Sequence, residues 1–421
     1  MNRRHFLRFG LLTAGTLPSL DSHFAAKAEP VANLTNPSLT PPAHPTLTPA
    51  LKFVDVSRGN PKPYTLEGAA LEQARLTPET WRCEITADPF TEEPHTKYAA
   101  SIAQPLTLKN GKALDLPALM DLGKQHELHF LKAMQCLNID TPLGQGVWSG
   151  VPLSEVLKLC GKMENVRRIC FWGFHNQDPK QLFKSSVSYT QCMETPPGEL
   201  PVFLAYRLNT NAIPLLRGGP VRMVVPWSHG YKSIKWLQHI SLTNDARISD
   251  TYATGNNDPD SFLKTAAYLD KTSEPLKFKE GAPIVLRGQV ISGLSGLKRV
   301  EFWVRRVDEH THTLADDAPE LLAAPWAPCT LEPEPDWSRT LPQFIRPGDL
   351  RGFNQTTGRM TTWPPRYAMC SYFASLENLP PGLYEVRARA IDGNNIAQPE
   401  PRPSQKSGKN AIQVRRIEVK S

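Results

Sequence analysis

No CxxC or CxxCH motif occurs among the seven cysteines, so the chain lacks the signals of a thioredoxin-like dithiol, a zinc ribbon and c-type haem attachment. Long apolar runs are missing too: nothing approaches the roughly 20 residues that a membrane-spanning helix needs. An excess of one charge sign is also absent. The formal net charge of +7 falls to +4 once residues 1–28 are set aside, because that stretch holds Arg3, Arg4, Arg8 and Lys27 against Asp21 alone. With no basic tail and no basic run interleaved with aromatics, nucleic acid is not expected as a partner.

What is present begins at the first residues. "NRRHFLRFGLLTAGTL" sets an arginine pair ahead of a short apolar run from Phe9 to Leu17, and "AKA" at Ala26–Ala28 supplies small residues for cleavage. This is the pattern of a twin-arginine export signal, which implies a periplasmic protein exported already folded, with any cofactor inserted beforehand. In such a compartment an odd number of cysteines leaves at least one free, paired between chains, or bound to something. The seven are Cys83, Cys136, Cys160, Cys170, Cys192, Cys329 and Cys370.

Residues 29–75 form a Pro-rich arm without periodicity. From "PETWRCEI" onward short strands mix with helices, which gives an α+β domain expected over 76–275. Its clearest helix is "VPLSEVLKLCGK". Leu153, Val156, Leu157 and Cys160 fall at i, i+3, i+4 and i+7 ahead of Gly161, so Cys160 reads as core. An all-β domain is expected over 276–421. There "PIVLRGQVISG", "KRVEFWVRRVD", "GLYEVRARAID" and "AIQVRRIEVK" read as strands. Val300, Phe302 and Val304 alternate with Glu301, Trp303 and Arg305, the mark of antiparallel strands in a sandwich with one polar face. A Pro- and Trp-rich insertion at 313–365 has no assigned structure.

Cationic residues concentrate in "LLRGGPVRMVVPWSHGYKSIKWLQHISL", residues 215–242. Arg222 stands inside an apolar strand, where an unpaired charge would cost several kcal/mol on the order given for buried ions. Arg217, His229, Lys232 and Lys235 lie close by, among glycines that permit close backbone approach. Such a set suits a phosphate, gripped by Arg through paired hydrogen bonds and by Lys as a point charge. An internal salt bridge for Arg222 with a solvated basic face for the rest is the other outcome.

"GGPVRMVVPWSHGYKSIKWLQHISLT" resembles the signature of the sulfite oxidase family of molybdopterin enzymes, and "VWSGVPLSEVLKL" resembles the helix that follows that family's molybdenum cysteine. "SGKNAIQVRRIEV" is similar to the end of the family's immunoglobulin-like dimerisation domain. The resemblance implies a sulfite-oxidase-like molybdopterin domain followed by an immunoglobulin-like sandwich, a molybdenum-molybdopterin cofactor, and homodimers through the sandwich. It also implies that Cys136 is the molybdenum ligand. A thiolate is a soft ligand suited to that task, whereas an isolated cysteine without such motifs reads as a small buried hydrophobe. By position, Arg222, Lys232 and Lys235 hold the pterin's phosphate and ring, and Arg217 falls where the family often has a histidine. Asn60 falls near a pterin-contacting motif, His229 and Ser233 lie inside the matching segment, and Asp178 is either a pterin contact or an Asp-Pro turn.

Two departures concern the substrate. Where sulfite oxidases carry an arginine after the cysteine, this chain has Leu137, Asn138, Ile139 and Asp140, and Asp140 would repel an anion if it faced the pocket. The active-site tyrosine of the family corresponds to Tyr252, with Asn256 or Asn257 as the other registers. The expected function is oxygen-atom transfer on a small-molecule substrate, with electrons exchanged with a separate partner such as a c-type cytochrome or a quinone-linked membrane protein. The alternatives are an S-oxide or N-oxide reductase of the same fold and a cofactor-free binding or assembly protein. A hydrolase pairing Cys136 with His126, His129 or His175 lacks any nucleophile motif.

Overall fold

Trp81, Cys83 and Ile85 are fully buried while their neighbours are not, and this alternation builds the strand Arg82–Ala87. In the computed structural model, which describes residues 44–89, 98–247, 250–252, 258–271, 275–308, 310–400 and 410–421, that strand sits inside a five-stranded sheet. Its order is Leu114–Asp115, Arg82–Ala87, Leu237–Thr243, Arg168–Gly173 and Lys184–Ser188. The export segment and Asn256 and Asn257 lie outside the described residues. No helix among them is long and apolar enough to cross a membrane.

A second sheet carries the chemistry. It runs Asn211–Ala212, Phe203–Leu208, Gly144–Pro152 and Leu128–Met134, with Arg222–Val224 paired to Phe203–Leu208 so that Arg222 faces Ala205. Cys136 lies in the connection between Leu128–Met134 and Gly144–Pro152. The helix Leu153–Lys158 follows directly, with Leu153, Val156, Leu157 and then Cys160 fully buried, as the periodicity requires.

The C-terminal half is a two-sheet sandwich. One sheet runs Ala266–Leu269, Ile284–Ile291, Met369–Leu376 and Thr330–Leu331; the other runs Leu276–Lys279, Gln413–Lys420, Gly382–Asp392, Leu297–Val307 and Ala327–Pro328. The strand Ala266–Leu269 pairs with Ile284–Ile291 and so joins the sandwich, although the expected boundary fell ten residues later, at 276. The apolar run "KTAAYLD" is too short to reveal which domain it serves; only strand pairing decides that.

The polar face of the second sandwich sheet is not left to solvent. Arg387 donates to Glu385 at 2.6 Å, Arg305 to Glu385 at 3.1 Å and Arg389 to Glu301 at 3.0 Å. Part of the 313–365 insertion lies over this ladder: the Leu314 carbonyl accepts from Arg387 at 2.9 Å, and the Arg389 guanidinium stacks 4.1 Å from the Trp326 ring. The rest of the insertion crosses to the other domain. Trp337, Leu341, Ile345, Leu350 and Phe353 pack against Leu131 and Val147, and Arg351 N–H bonds the His129 carbonyl at 2.9 Å. The insertion therefore links the two domains by burial of apolar surface.

The arm also docks. Thr48 and Val54 donate backbone hydrogen bonds to Gln145 and Leu143 at 2.7 and 2.8 Å. Gly144 is required here: with φ at +143°, a Cβ would stand 2.6 Å from the Phe53 ring.

Candidate active site

The Cys136 connection, the arm and the cationic segment meet at one cleft, with an empty volume of about 1030 Å³ counting space open to solvent. Arm residues Val56, Ser57 and Arg58 form one wall, Cys136 and Met134 another, and Arg217, Arg222, Ser233 and Lys235 the floor. Tyr231, Phe183 and Tyr252 close the remaining side.

Local hydrogen bonds hold the Cys136 connection in shape. The Gln135 amide donates to the carbonyls of Cys136 and Ile139 at 3.2 and 2.5 Å, and Gly230 N–H bonds the Gln135 carbonyl at 2.6 Å. Cys136 is part-exposed, whereas Cys83, Cys160, Cys170, Cys192 and Cys370 are buried away from the cleft. Burial pushes the thiols of Cys160 and Cys370 up to about 11 and about 12 and raises those of Cys83, Cys192 and Cys329 as well.

Arg222 is 5% exposed and donates to the carbonyls of Arg217 and Ser233 at 2.8 and 2.5 Å. No carboxylate pairs with it among the described residues, and its Nε has no partner, nor does the Nε of Arg217. Burial, helped by the Arg217 charge, pushes Arg222 down to about 9. Burial and the Arg222 charge push Lys235 down to about 7, although Asp55 opposes this. The Lys235 ammonium reaches Ser57 Oγ at 2.5 Å, the Leu216 carbonyl at 3.1 Å and Asp55 at 3.4 Å. Gly218, at φ +94°, keeps the floor open, since a Cβ there would meet the Lys235 stem at 2.5 Å. Three cations sharing one carboxylate, with unmet donors, make a site for an anion.

The other residues singled out in the sequence take different places. Lys232 turns away from the cleft: its ammonium lies 2.6 Å from Asp250 and 2.8 Å from the Ser186 carbonyl, in a fully buried pair. His229 is 3% exposed behind the wall, with neither ring nitrogen hydrogen-bonded, and burial together with the Lys132 and Lys264 charges pushes it down to about 3. Asp178 accepts from Lys180 N–H at 2.9 Å and from the Gln181 amide at 3.1 Å, which is the Asp-Pro turn. Asn60 is held by Gln181 beside the cleft without lining it. Asp140 pairs with Lys271 at 3.3 Å, off the cleft wall, so the expected repulsion of an anion has no geometric basis. His126 and His129 face Glu155 and Glu127 at 3.8 and 3.5 Å and do not line the cleft.

Sequence reasoning named Asn60 in "SRGNPKP" but passed over Arg58 two residues earlier. The Arg58 guanidinium sits between the Phe183 and Tyr252 rings, 4.7 and 4.8 Å from their centroids, and donates to the Tyr252 hydroxyl. Its one sequence signal was an arginine beside Gly59 in the Pro-rich arm.

Among the described residues no group of three or more His, Cys, Asp or Glu side chains could hold a metal. A metal on Cys136 would therefore take its remaining ligands from a cofactor, and the cationic floor matches one that carries a phosphate.

Comparison with known proteins gives the same direction. Residues 76–252 match the family model described as the oxidoreductase molybdopterin binding domain. Nitrate reductase (NADPH) of Fusarium oxysporum is 32% identical over 103 residues, 24% of this chain and 11% of that protein. Mitochondrial sulfite oxidase of Homo sapiens is 31% identical over 104 residues, 24% of this chain and 18% of that protein. The chain thus matches under a fifth of the length of either relative. The crystal structure of the sulfane dehydrogenase SoxCD from Paracoccus pantotrophus superposes with a TM-score of 0.53 at 15% identity, over 94% of this chain and 96% of that one, a likeness of fold.

Proposed function

Because residues 76–252 are a molybdopterin-binding domain of the sulfite oxidase family, we propose that the chain is an exported molybdenum-molybdopterin oxidoreductase acting on a small, oxygen-bearing sulfur substrate. The observation that carries this reading is the meeting of Cys136, the one cysteine on the cleft wall, with the under-compensated cations Arg217, Arg222 and Lys235. When bound, the cofactor supplies two-electron oxygen-atom chemistry. Cys136 would ligate the metal as a thiolate. Arg222 and Arg217, whose Nε groups are unmet, would hold the phosphate, with Lys235 as a point charge. The aromatic wall of Phe183, Tyr231 and Tyr252 limits water, and Arg58 with Tyr252 presents a cation and a hydroxyl to a substrate oxygen. This pairing favours a small oxyanion such as sulfite. The apolar rings around Arg58 support a second reading, reduction of an S-oxide or N-oxide.

The twin-arginine pattern supports maturation with cofactor before export to the periplasm. With no haem attachment motif in the chain, the electrons go to or come from a separate carrier, for which a c-type cytochrome or a quinone-linked membrane protein is proposed. Association of two copies through the sandwich remains part of the proposal. The 313–365 segment covers part of the polar face and supplies the edge strands Ala327–Pro328 and Thr330–Leu331, so the opposite edge strand of the second sheet, Leu276–Lys279, is the one proposed for it.

The test is to count molybdenum per chain in protein matured by its own export route, together with Cys136→Ser, and then to assay sulfite against methionine sulfoxide. About one metal per chain and loss of turnover in the variant are expected. Metal-free wild-type protein would make the chain a cofactor-free binding protein of the same fold.

A further inference from the structure

One buried cation belongs to no feature described so far. The strand Leu128–Met134 turns Leu128, Phe130, Lys132 and Met134 to one face, and Met134 reaches the cleft just before Cys136. Leu128, Phe130 and Met134 are core, packed with Trp148, Phe203 and Val224. Lys132 interrupts this apolar row with 0% exposure. Its ammonium donates to the carbonyls of Pro226 and Ser228 at 2.6 and 3.4 Å, and no carboxylate pairs with it among the described residues.

An apolar residue would fill this place at less desolvation cost, so a retained ammonium calls for a reason. Two observations supply one. Pro226 and Ser228 belong to the turn that leads into Gly230, Ser233 and Lys235, so the ammonium fastens the strand carrying Cys136 to the segment carrying the anion-binding floor. The Gly230 to Gln135 backbone bond ties the same two segments from the other side. The charged and titratable groups facing Lys132 are Arg222 and His229: the Arg222 charge adds to burial in disfavouring the ammonium, and the Lys132 charge in turn bears on His229. Among the described residues no carboxylate balances this group.

We propose that Lys132 is a positioning residue for the cofactor: it fixes Cys136 relative to the Arg222 floor, and its charge is balanced by the anion bound in the cleft. This rests on the proposed function. Lys132 and Arg222 are like charges that repel one another, and an anion bound in the cleft would relieve that repulsion. It also makes Lys132 part of the positive field at the metal, which favours the more reduced state.

The experiment compares wild-type protein, Lys132→Met and Lys132→Arg, each matured with cofactor, by circular dichroism, metal and pterin per chain, the rate of cofactor loss on dilution, and the midpoint potential of the metal. Lys132→Met keeps the stem and removes the charge. It is expected to lose cofactor at least tenfold faster and to shift the potential downward, whereas Lys132→Arg keeps the wild-type potential. A folded Lys132→Met with wild-type retention and potential overturns the inference. So does a folded Lys132→Arg whose potential falls, which decides the matter even where Lys132→Met fails to fold. Wild-type protein that matures without molybdenum overturns the proposed function and this inference with it; a loaded wild type beside an indifferent Lys132→Met overturns this inference alone.

Discussion

Lys232 and Asp250 face each other at 2.6 Å with side chains 3% and 0% exposed, and Ser185 and Ser186 hydroxyls complete the carboxylate's shell at 3.1 and 2.6 Å. The pair joins the signature segment to the strand Lys184–Ser188 and takes out of the cleft a lysine whose neighbourhood in sequence suggested phosphate binding. Removing one partner leaves the other charge buried. Asp250→Ala is therefore expected to cost about 3–5 kcal/mol of stability, measured by urea denaturation. A loss below about 1 kcal/mol would mean that solvent reaches the pair.

Thiol labelling separates Cys136 from the other six. In cofactor-free folded protein, a maleimide at pH 7.5 is expected to modify Cys136 alone, because the others are buried or have raised thiol pKa values. Mass spectrometry of the peptides gives the position. Cofactor loading should block the reaction, and unchanged labelling in loaded protein would contradict ligation by Cys136.

Arg58→Ala tests the substrate wall. For an anionic substrate KM is expected to rise tenfold or more, about 1.4 kcal/mol of lost binding, while a neutral S-oxide changes little. Equal losses for both would assign Arg58 to holding Phe183 and Tyr252 in place.

His229 gives a pH signature. Its folded pKa of about 3 lies below the ordinary 6.5, so between these values the unfolded chain takes up a proton that the folded one refuses. Stability is therefore lost as pH falls from about 6.5 towards 3. His229→Phe should lessen that loss relative to wild type in denaturation midpoints measured at pH 7 and pH 5. Parallel curves would show that the buried imidazole does not titrate in this way.

Trp337 is 3% exposed, with its ring 5.1 Å from Phe353 and 5.9 Å from Trp363. Trp337→Ala should cost about 3–5 kcal/mol and, because this cluster joins the insertion to Leu131 and Val147, should separate the melting of the two domains in calorimetry. A single cooperative transition would mean that the strand-to-strand contacts alone couple them.

Much of the fold was legible because its signals are local. The 3.6-residue spacing of Leu153, Val156, Leu157 and Cys160 and the two-residue alternation of Val300, Phe302 and Val304 depend only on which neighbours share a face. Arg222 was legible for another reason, as a charge inside an apolar strand, whereas Cys136 was singled out only through the family resemblance, because an isolated cysteine reads as a small buried hydrophobe. The partition of the cations was not legible. Lys232 and Lys235 are three residues apart in one basic run, yet one pairs with Asp250, 18 residues on, and the other with Asp55, 180 residues back in the arm.

By itself the sequence determined many of the elements and buried faces and the anomaly of Arg222, since these follow from local spacing and residue chemistry, while the family of the central domain and the choice of Cys136 came from its motifs' resemblance. Tertiary structure alone decided which side chains share the cleft. It brought Arg58 in from the arm, turned Asp140 out towards Lys271, buried Lys132 and His229 behind the wall, and laid the insertion across both domains. The physical reason is that burial and charge compensation depend on contacts between residues far apart in the chain, and a buried charge takes whichever partner the packing brings to it.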